Sequence, residues 1–362
     1  DWVTYGILHE ALAGSAAIRI CHNELWAASS ATAWHTSVPS LFEIQPVDTP
    51  ELQRQALQRL AVLPKFIDAE IANLRRGLQS GFSAPRLTVA PVVSEVRALA
   101  GADSPLLSPG VRAGDPKFAA EVQAVFERDI VPAVERFARF LEAEYLPRAR
   151  EDIGLGYNPD GAACYPALVR HYATVEPTAS EIHRLGLEQV AGIRREMQAI
   201  IDEHFPGTTI EAFLRGLNDD PRYTFRTEDE VLQYSVAALA RAKAKMPAAF
   251  GRLPRADVEI KAYPAYRTTG TGEYHSSSED GTRPGVYYIA VVDPTRRSRA
   301  IQESVLHHET YPGHHLQGAI ALELGDRVHP IARYLWNSGY GEGWALYSER
   351  LADELGLYSG PL

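Results

Sequence analysis

Cysteine is almost missing from this 362-residue chain: only Cys21 and Cys164 occur. That excludes a disulfide framework as the basis of the fold, while one bridge and two reduced thiols both remain open. Basic charge is also in short supply. With 36 Lys and Arg against 46 Asp and Glu the formal net charge is -10, so nucleic acid and anionic membrane, which each need a basic face, are excluded as main partners. No apolar run approaches the roughly 20 residues needed to cross a bilayer, and the opening Asp1-Trp2-Val3-Thr4-Tyr5 lacks the basic start of a signal peptide. The chain does not begin with Met, so the expected compartment is periplasmic or secreted if a signal was removed, and cytoplasmic otherwise. Internal repeats and low-complexity tracts are absent. Oligomeric state is left open.

What is present is mostly helical pattern, with 45% hydrophobic residues to supply a large core. From Glu51 to Gly77, Leu52, Leu57, Leu60, Leu63, Phe66, Ile67, Ile71 and Leu74 recur at helical spacing, and Pro64 predicts a break or kink. Lys117 to Leu146 repeats the pattern with a kink expected at Pro132. Three capping boxes announce helices: Thr178 to Glu181, Thr208 to Glu211 and Thr227 to Glu230. The exception runs from Asp257 to Asp293. There Val258-Glu259-Ile260 alternates and Val286 to Val292 is β-branched and aromatic, which predicts two or three strands around a long Gly/Ser/Thr loop from Thr268 to Pro284. Residues 1–256 are thus expected as a helical part, and residues 257–362 as a small sheet with further helices.

Four of the twelve histidines fall in His307-His308-Glu309-Thr310-Tyr311-Pro312-Gly313-His314-His315, and the segment GEGWALYSE (Gly341 to Glu349) follows. Imidazole with carboxylate suits a borderline divalent ion such as zinc, and a glutamate beside a ligand histidine is where a zinc hydrolase keeps its base. The spacing is not that of HExxH, because position i+4 from His308 is Pro312. On a straight helix His314 and His315 would lie ~9–10 Å further along the axis. Pro312 cannot donate to the His308 carbonyl and Gly313 permits unusual dihedrals, so a bulge or kink is expected there, giving HETYPGH with His308 and His314 brought together. Glu349 follows Glu342 by two turns on one helical face and can orient a ligand histidine; a solvated charge is the plainer reading. Seven of the other eight histidines, His9, His22, His35, His171, His183, His204 and His329, read as satisfied or surface groups. Trp344, Ala345 and Tyr347 read as packing.

The runs HHETYPGHHLQ, DGTRPGVYYI (Asp280 to Ile289) and GEGWALYSE, with the stretch from Tyr165 to Glu196, resemble a bacterial family catalogued as a domain of unknown function and grouped with gluzincin-type zinc metallopeptidases. The resemblance extends over nearly the whole chain. It implies one metallopeptidase-like domain over 1–362, mainly α, with a deep cleft and a small sheet beside the metal helix, similar in layout to thimet oligopeptidase, angiotensin-converting enzyme and carboxypeptidase Taq. It also implies chains that run further at both ends, so that this one is expected to be incomplete. One zinc per chain would be held by His308, His314 and Glu342, with Glu309 as the general base. His315 competes with His314 for ligation or hydrogen-bonds substrate, and His307 is a packed or supporting residue. Arg283, Tyr287 and Tyr288 would line the substrate strand, taken as the stretch from Val286 to Val292, with Arg283 and Tyr288 in the catalytic set. Tyr274 and His275 would contact substrate and donate to the developing oxyanion.

The expectation is therefore zinc-dependent hydrolysis of short peptides. A mononuclear non-haem iron enzyme and a non-catalytic scaffold that retains the fold are the alternatives, and Glu309 argues against both, since neither needs a base beside the first ligand.

Overall fold

The computed structural model describes residues 2–263 and 270–360. Thr268 and Thr269, at the start of the expected loop, lie outside them. The chain forms two compact units, one of Ile18–Tyr165 and the other of residues 2–17, 166–263 and 270–360. The helical part expected over residues 1–256 is shared between the two units.

The unit Ile18–Tyr165 is helical. Its longest helix, Pro50–Gln79, starts at Thr49, whose hydroxyl accepts from the Leu52 N–H, and it runs through Pro64 without the expected break. Ala56, Leu60, Leu63, Ile67, Ile71 and Leu74 are buried along one stripe, which outweighs the hydrogen bond lost at the proline. At Pro132 the expected irregularity does occur. A π-helical turn, Phe126–Ile130, precedes the helix Val131–Phe140, and a second one, Leu141–Tyr145, precedes Pro147. A wider turn accommodates a proline that has no N–H to give. Trp34, Phe42, Leu60, Leu74, Phe137 and Tyr145 fill the core of this unit.

Cys21 and Cys164 form a disulfide. They lie close to the two ends of this unit, so the bridge closes almost the whole of it into one loop.

In the other unit the three expected helix starts exist, two of them with altered caps. Thr178 and Glu181 make the full reciprocal box ahead of Ala179–His204. The next cap is Thr209 rather than Thr208. Thr227 caps Glu228–Ala249, but Glu230 turns to the Arg226 N–H and to Arg299 instead of completing the box. The helix Ala179–His204 buries only Ile201, and Leu185, Leu187, Val190, Ile193 and Ile200 remain exposed.

The sheet has three strands, β1 (Val258–Ala262), β2 (Gly272–His275) and β3 (Gly285–Ile289), in the order β1-β3-β2. β1 runs parallel to β3 with Val258 opposite Gly285, and β2 runs antiparallel to it with Tyr274 opposite Tyr287. Two expectations are corrected here. The Gly/Ser/Thr segment contains a strand, because Glu273, Tyr274 and His275 carry side chains that suit a pleated surface. The stretch from Val286 to Val292 holds the central strand, which ends at Ile289, and β1 and β2 are the two edges, so the substrate strand expected there does not lie on an edge. Val258, Tyr287 and Ile289 pack with Leu239, Met246, Leu306 and Leu316 in the core of this unit.

Loop-closure entropy predicts that the bridge stabilises the unit Ile18–Tyr165 by on the order of 2–5 kcal/mol. Thermal unfolding should therefore shift to lower temperature in the Cys21→Ser, Cys164→Ser variant and in the reduced parent alike. An unchanged midpoint would remove the bridge from the account of stability.

Candidate metal centre

The histidine run occupies two helices rather than one bulged helix. Arg299–Glu309 ends at Glu309, and His314–Leu322 begins after Thr310–Gly313. Gly313 is forced by proximity. A Cβ on it would lie 1.8 Å from the His308 carbonyl oxygen and 2.4 Å from that of His307, so only glycine lets the chain fold back onto the helix end it has just left. The Trp344 indole N–H donates to the Pro312 carbonyl at 2.9 Å and fixes the turn from outside. The rings of His308 and His314 consequently meet with centroids 4.8 Å apart and planes at 90°.

The third element is the helix Ser338–Glu354, capped by Asn337, whose side-chain oxygen accepts from the Tyr340 N–H at 2.8 Å. Gly341, Ala345, Ser348 and Ala352 form its buried seam. These side chains are small and let the helix approach closely. Glu342 and Glu349 each stand one residue beyond a seam position, so both carboxylates reach the same imidazole. Glu342 Oε2 is 3.4 Å from His308 Nε2 and 3.6 Å from His314 Nε2, while Glu349 Oε1 accepts from His308 Nδ1 at 2.9 Å.

Among the described residues, His308, His314 and Glu342 are the group that converges tightly enough to hold a metal ion, with their donor atoms all within 4.8 Å of one another. Bond lengths of ~2.0–2.1 Å in a tetrahedron place donor atoms about 3.3 Å apart, so the carboxylate-to-imidazole separations already match a zinc site. Two imidazoles and a carboxylate are also the right donor chemistry. Glu349 completes the arrangement by fixing which nitrogen of His308 carries the proton: with Nδ1–H donated to Glu349, Nε2 faces Glu342 and His314 as a lone pair. Ser304 Oγ in turn donates to Glu349 Oε2 at 2.5 Å. Its hydrogen bond to Glu349 raises the pKa of His308. Burial pushes Glu349 upward, but the bonds from His308 and Ser304 win and hold it below the usual carboxylate range. Burial, and then the charge of His308, lower the pKa of His314.

Glu309 is pushed up to about 7, first by burial and further by Glu342 and Glu273, against the opposing pull of His308 and of the Tyr274 N–H on the edge strand. A carboxylate with a pKa near neutrality beside a metal-ligand set is poised to take and return a proton.

The remaining expected site residues are dispersed. His315 is fully buried, with Nδ1 3.0 Å from the Tyr274 hydroxyl and Nε2 3.2 Å from the Tyr311 hydroxyl. Both ring nitrogens are engaged by tyrosine hydroxyls, and His315 is not in the group formed by His308, His314 and Glu342; burial lowers its pKa to about 4. Tyr274 is correspondingly engaged by His315 and by the Ser277 N–H, and is not placed to donate to an oxyanion. Tyr287 is fully buried in the central strand, so it lines no substrate surface. Arg283 is exposed, and its backbone N–H closes a turn onto Ser278 Oγ at 2.9 Å. His307 is buried, with Nδ1 3.0 Å from the Tyr311 carbonyl oxygen and its ring against Tyr358. Tyr288 and His275 do come together, with ring centroids 5.0 Å apart and His275 Nε2 2.8 Å from Glu273. Ser304, Glu273 and Trp336 escape sequence reading. Only Ser304 left a trace, standing four residues before His308 on the same helical face.

Two substitutions test this geometry. Gly313→Ala should abolish stoichiometric zinc binding, and Glu349→Ala should weaken zinc affinity roughly 10–100-fold. Both are read by titration against a competing chelator, and parental affinity in either variant would contradict the arrangement.

Comparison with known proteins agrees with the fold. No curated protein matches the chain. A solved structure from Colwellia psychrerythraea, described as a "putative lipoprotein", superposes with a TM-score of 0.83 at 23% identity, covering 92% of this chain and 60% of its own. This chain thus spans about three fifths of the length of that protein. A family model described as a bacterial protein of unknown function, DUF885, matches residues 1–362. The chain belongs to that family.

Proposed function

We propose that the protein is a zinc-dependent peptidase of the gluzincin type, holding one zinc through His308, His314 and Glu342 and hydrolysing peptide bonds in short peptides. The observation that carries the reading is the position of Glu309. It is the residue after one ligand, is largely buried, and is pushed up to about 7. Neither a scaffold nor a mononuclear iron enzyme needs such a base there.

Zinc, when bound, supplies a Lewis acid that polarises the scissile carbonyl and makes water a stronger acid. The chain's own residues do the rest. Glu309 takes the proton from the attacking water and returns it to the leaving amine, and a pKa near neutrality serves both transfers. Glu349 and Ser304 hold His308 in one tautomer and one orientation, so that Nε2 stays directed at Glu342 and His314. β2 borders Glu309 through the Tyr274 N–H, and the outer edge of such a strand suits an extended peptide backbone. A layout similar to thimet oligopeptidase, angiotensin-converting enzyme and carboxypeptidase Taq fits this chemistry. The Cys21–Cys164 bridge, and the words that describe the Colwellia psychrerythraea protein, support an extracytoplasmic location, because disulfides persist in oxidising compartments.

Glu309→Gln should keep its zinc and lose peptide hydrolysis by roughly 10²–10⁴-fold. Turnover equal to the parent would remove Glu309 from the mechanism. For the parent, activity should fall as pH drops and Glu309 becomes protonated. The acidic limb should lie at or below about 7, because a bound cation would pull the carboxyl further down. A rate that does not change between pH 5 and 8, taken at constant zinc occupancy, would contradict this.

A further inference from the structure

Trp336 is 60% exposed, and its indole touches two residues of the candidate site. One edge lies against the His314 imidazole, with centroids 5.6 Å apart and planes at 63°. The ring also covers Gly341, the residue before Glu342, so closely that a Cβ there would come within 2.2 Å of it. A side chain at 341 would have to displace the indole from this position. The segment that carries Trp336 is tied down on both sides. Arg333 and Tyr334 both bond to the carboxylate of Glu279, in the loop that follows β2. Asn337 is held as the helix cap.

An exposed apolar ring is unfavourable in water, and one carried on a segment tied down on both sides loses less entropy when something packs on it. Its place beside one ligand and over the residue preceding another puts whatever packs on it next to the metal centre. The open face is flat and aromatic, which favours an offset or edge-on ring. The Glu342 carboxylate next to it disfavours an acidic side chain.

We propose that Trp336 is the wall of a substrate side-chain subsite and selects peptides with an aromatic residue beside the bond to be cut. This rests on the peptidase reading above, and the test separates the two. Phenylalanine hydroxamate and glycine hydroxamate are titrated into the zinc-loaded protein, and quenched peptides that differ only in Phe or Gly beside the scissile bond are assayed in parallel. The parent should bind the phenylalanine probe about ten-fold more tightly than the glycine probe, as burial and stacking of one ring would give. Trp336→Ala should bring that ratio close to one, and Trp336→Phe should keep most of it. If Trp336→Ala loses zinc, Trp336→Leu, which still covers Gly341 but offers no flat face, should show the fall in the ratio instead. Equal binding of the two probes by the parent, or a ratio unchanged by these substitutions, would overturn the subsite. Uncut peptides together with a Trp336-dependent probe ratio would overturn the peptidase reading alone.

Discussion

The His308 carbonyl oxygen occupies the space a Cβ on residue 313 would need, and the candidate metal centre depends on that contact. It lets the chain leave the end of one helix and start another within four residues, so that two histidines six positions apart share one point in space. Everything else in the site is arranged around this turn. Trp344 holds its outer side, and the small-residue seam of Gly341, Ala345, Ser348 and Ala352 brings two glutamates up to one imidazole. A bulkier seam would move Glu342 and Glu349 away together, since they lie on the same helical side.

The carboxylates of the site divide their work by environment. Glu342 is more than half exposed and reaches both histidines. Glu349 is held ionised by two hydrogen bonds, whereas Glu309, partly buried and near the charges of Glu342 and Glu273, is pushed toward neutrality. Similar side chains thus suit the separate parts of ligand, orienting group and base in the proposed mechanism, because burial and partners differ.

Much of this was legible in the sequence. His308, Glu309, His314, Glu342 and Glu349 can be read from spacing, from the Pro-Gly pair and from resemblance, and the structure brings all five together. The loss of the straight helix was also readable, because Pro312 falls where HExxH needs its second histidine; the sharper break into two helices was not, since it depends on the Gly313 contact. β2 was hidden because Gly, Ser and Thr dominate its surroundings while only four residues form the strand. His315, Tyr274 and Tyr287 were misread for a common reason. Aromatic and imidazole side chains near a motif look the same in sequence whether they face solvent or the core, and here the pleat and the helix turn them inward. Trp336 was invisible because its role comes from Gly341 lying beneath it, a contact that no periodicity encodes.

The most direct test of the account is anomalous scattering from crystals of the zinc-loaded protein, recorded on both sides of the zinc absorption edge. One peak per chain, bonded to His308 Nε2, His314 Nε2 and a Glu342 oxygen with Glu309 close by, is the predicted result. A peak elsewhere, or none at these residues after zinc loading, would contradict it.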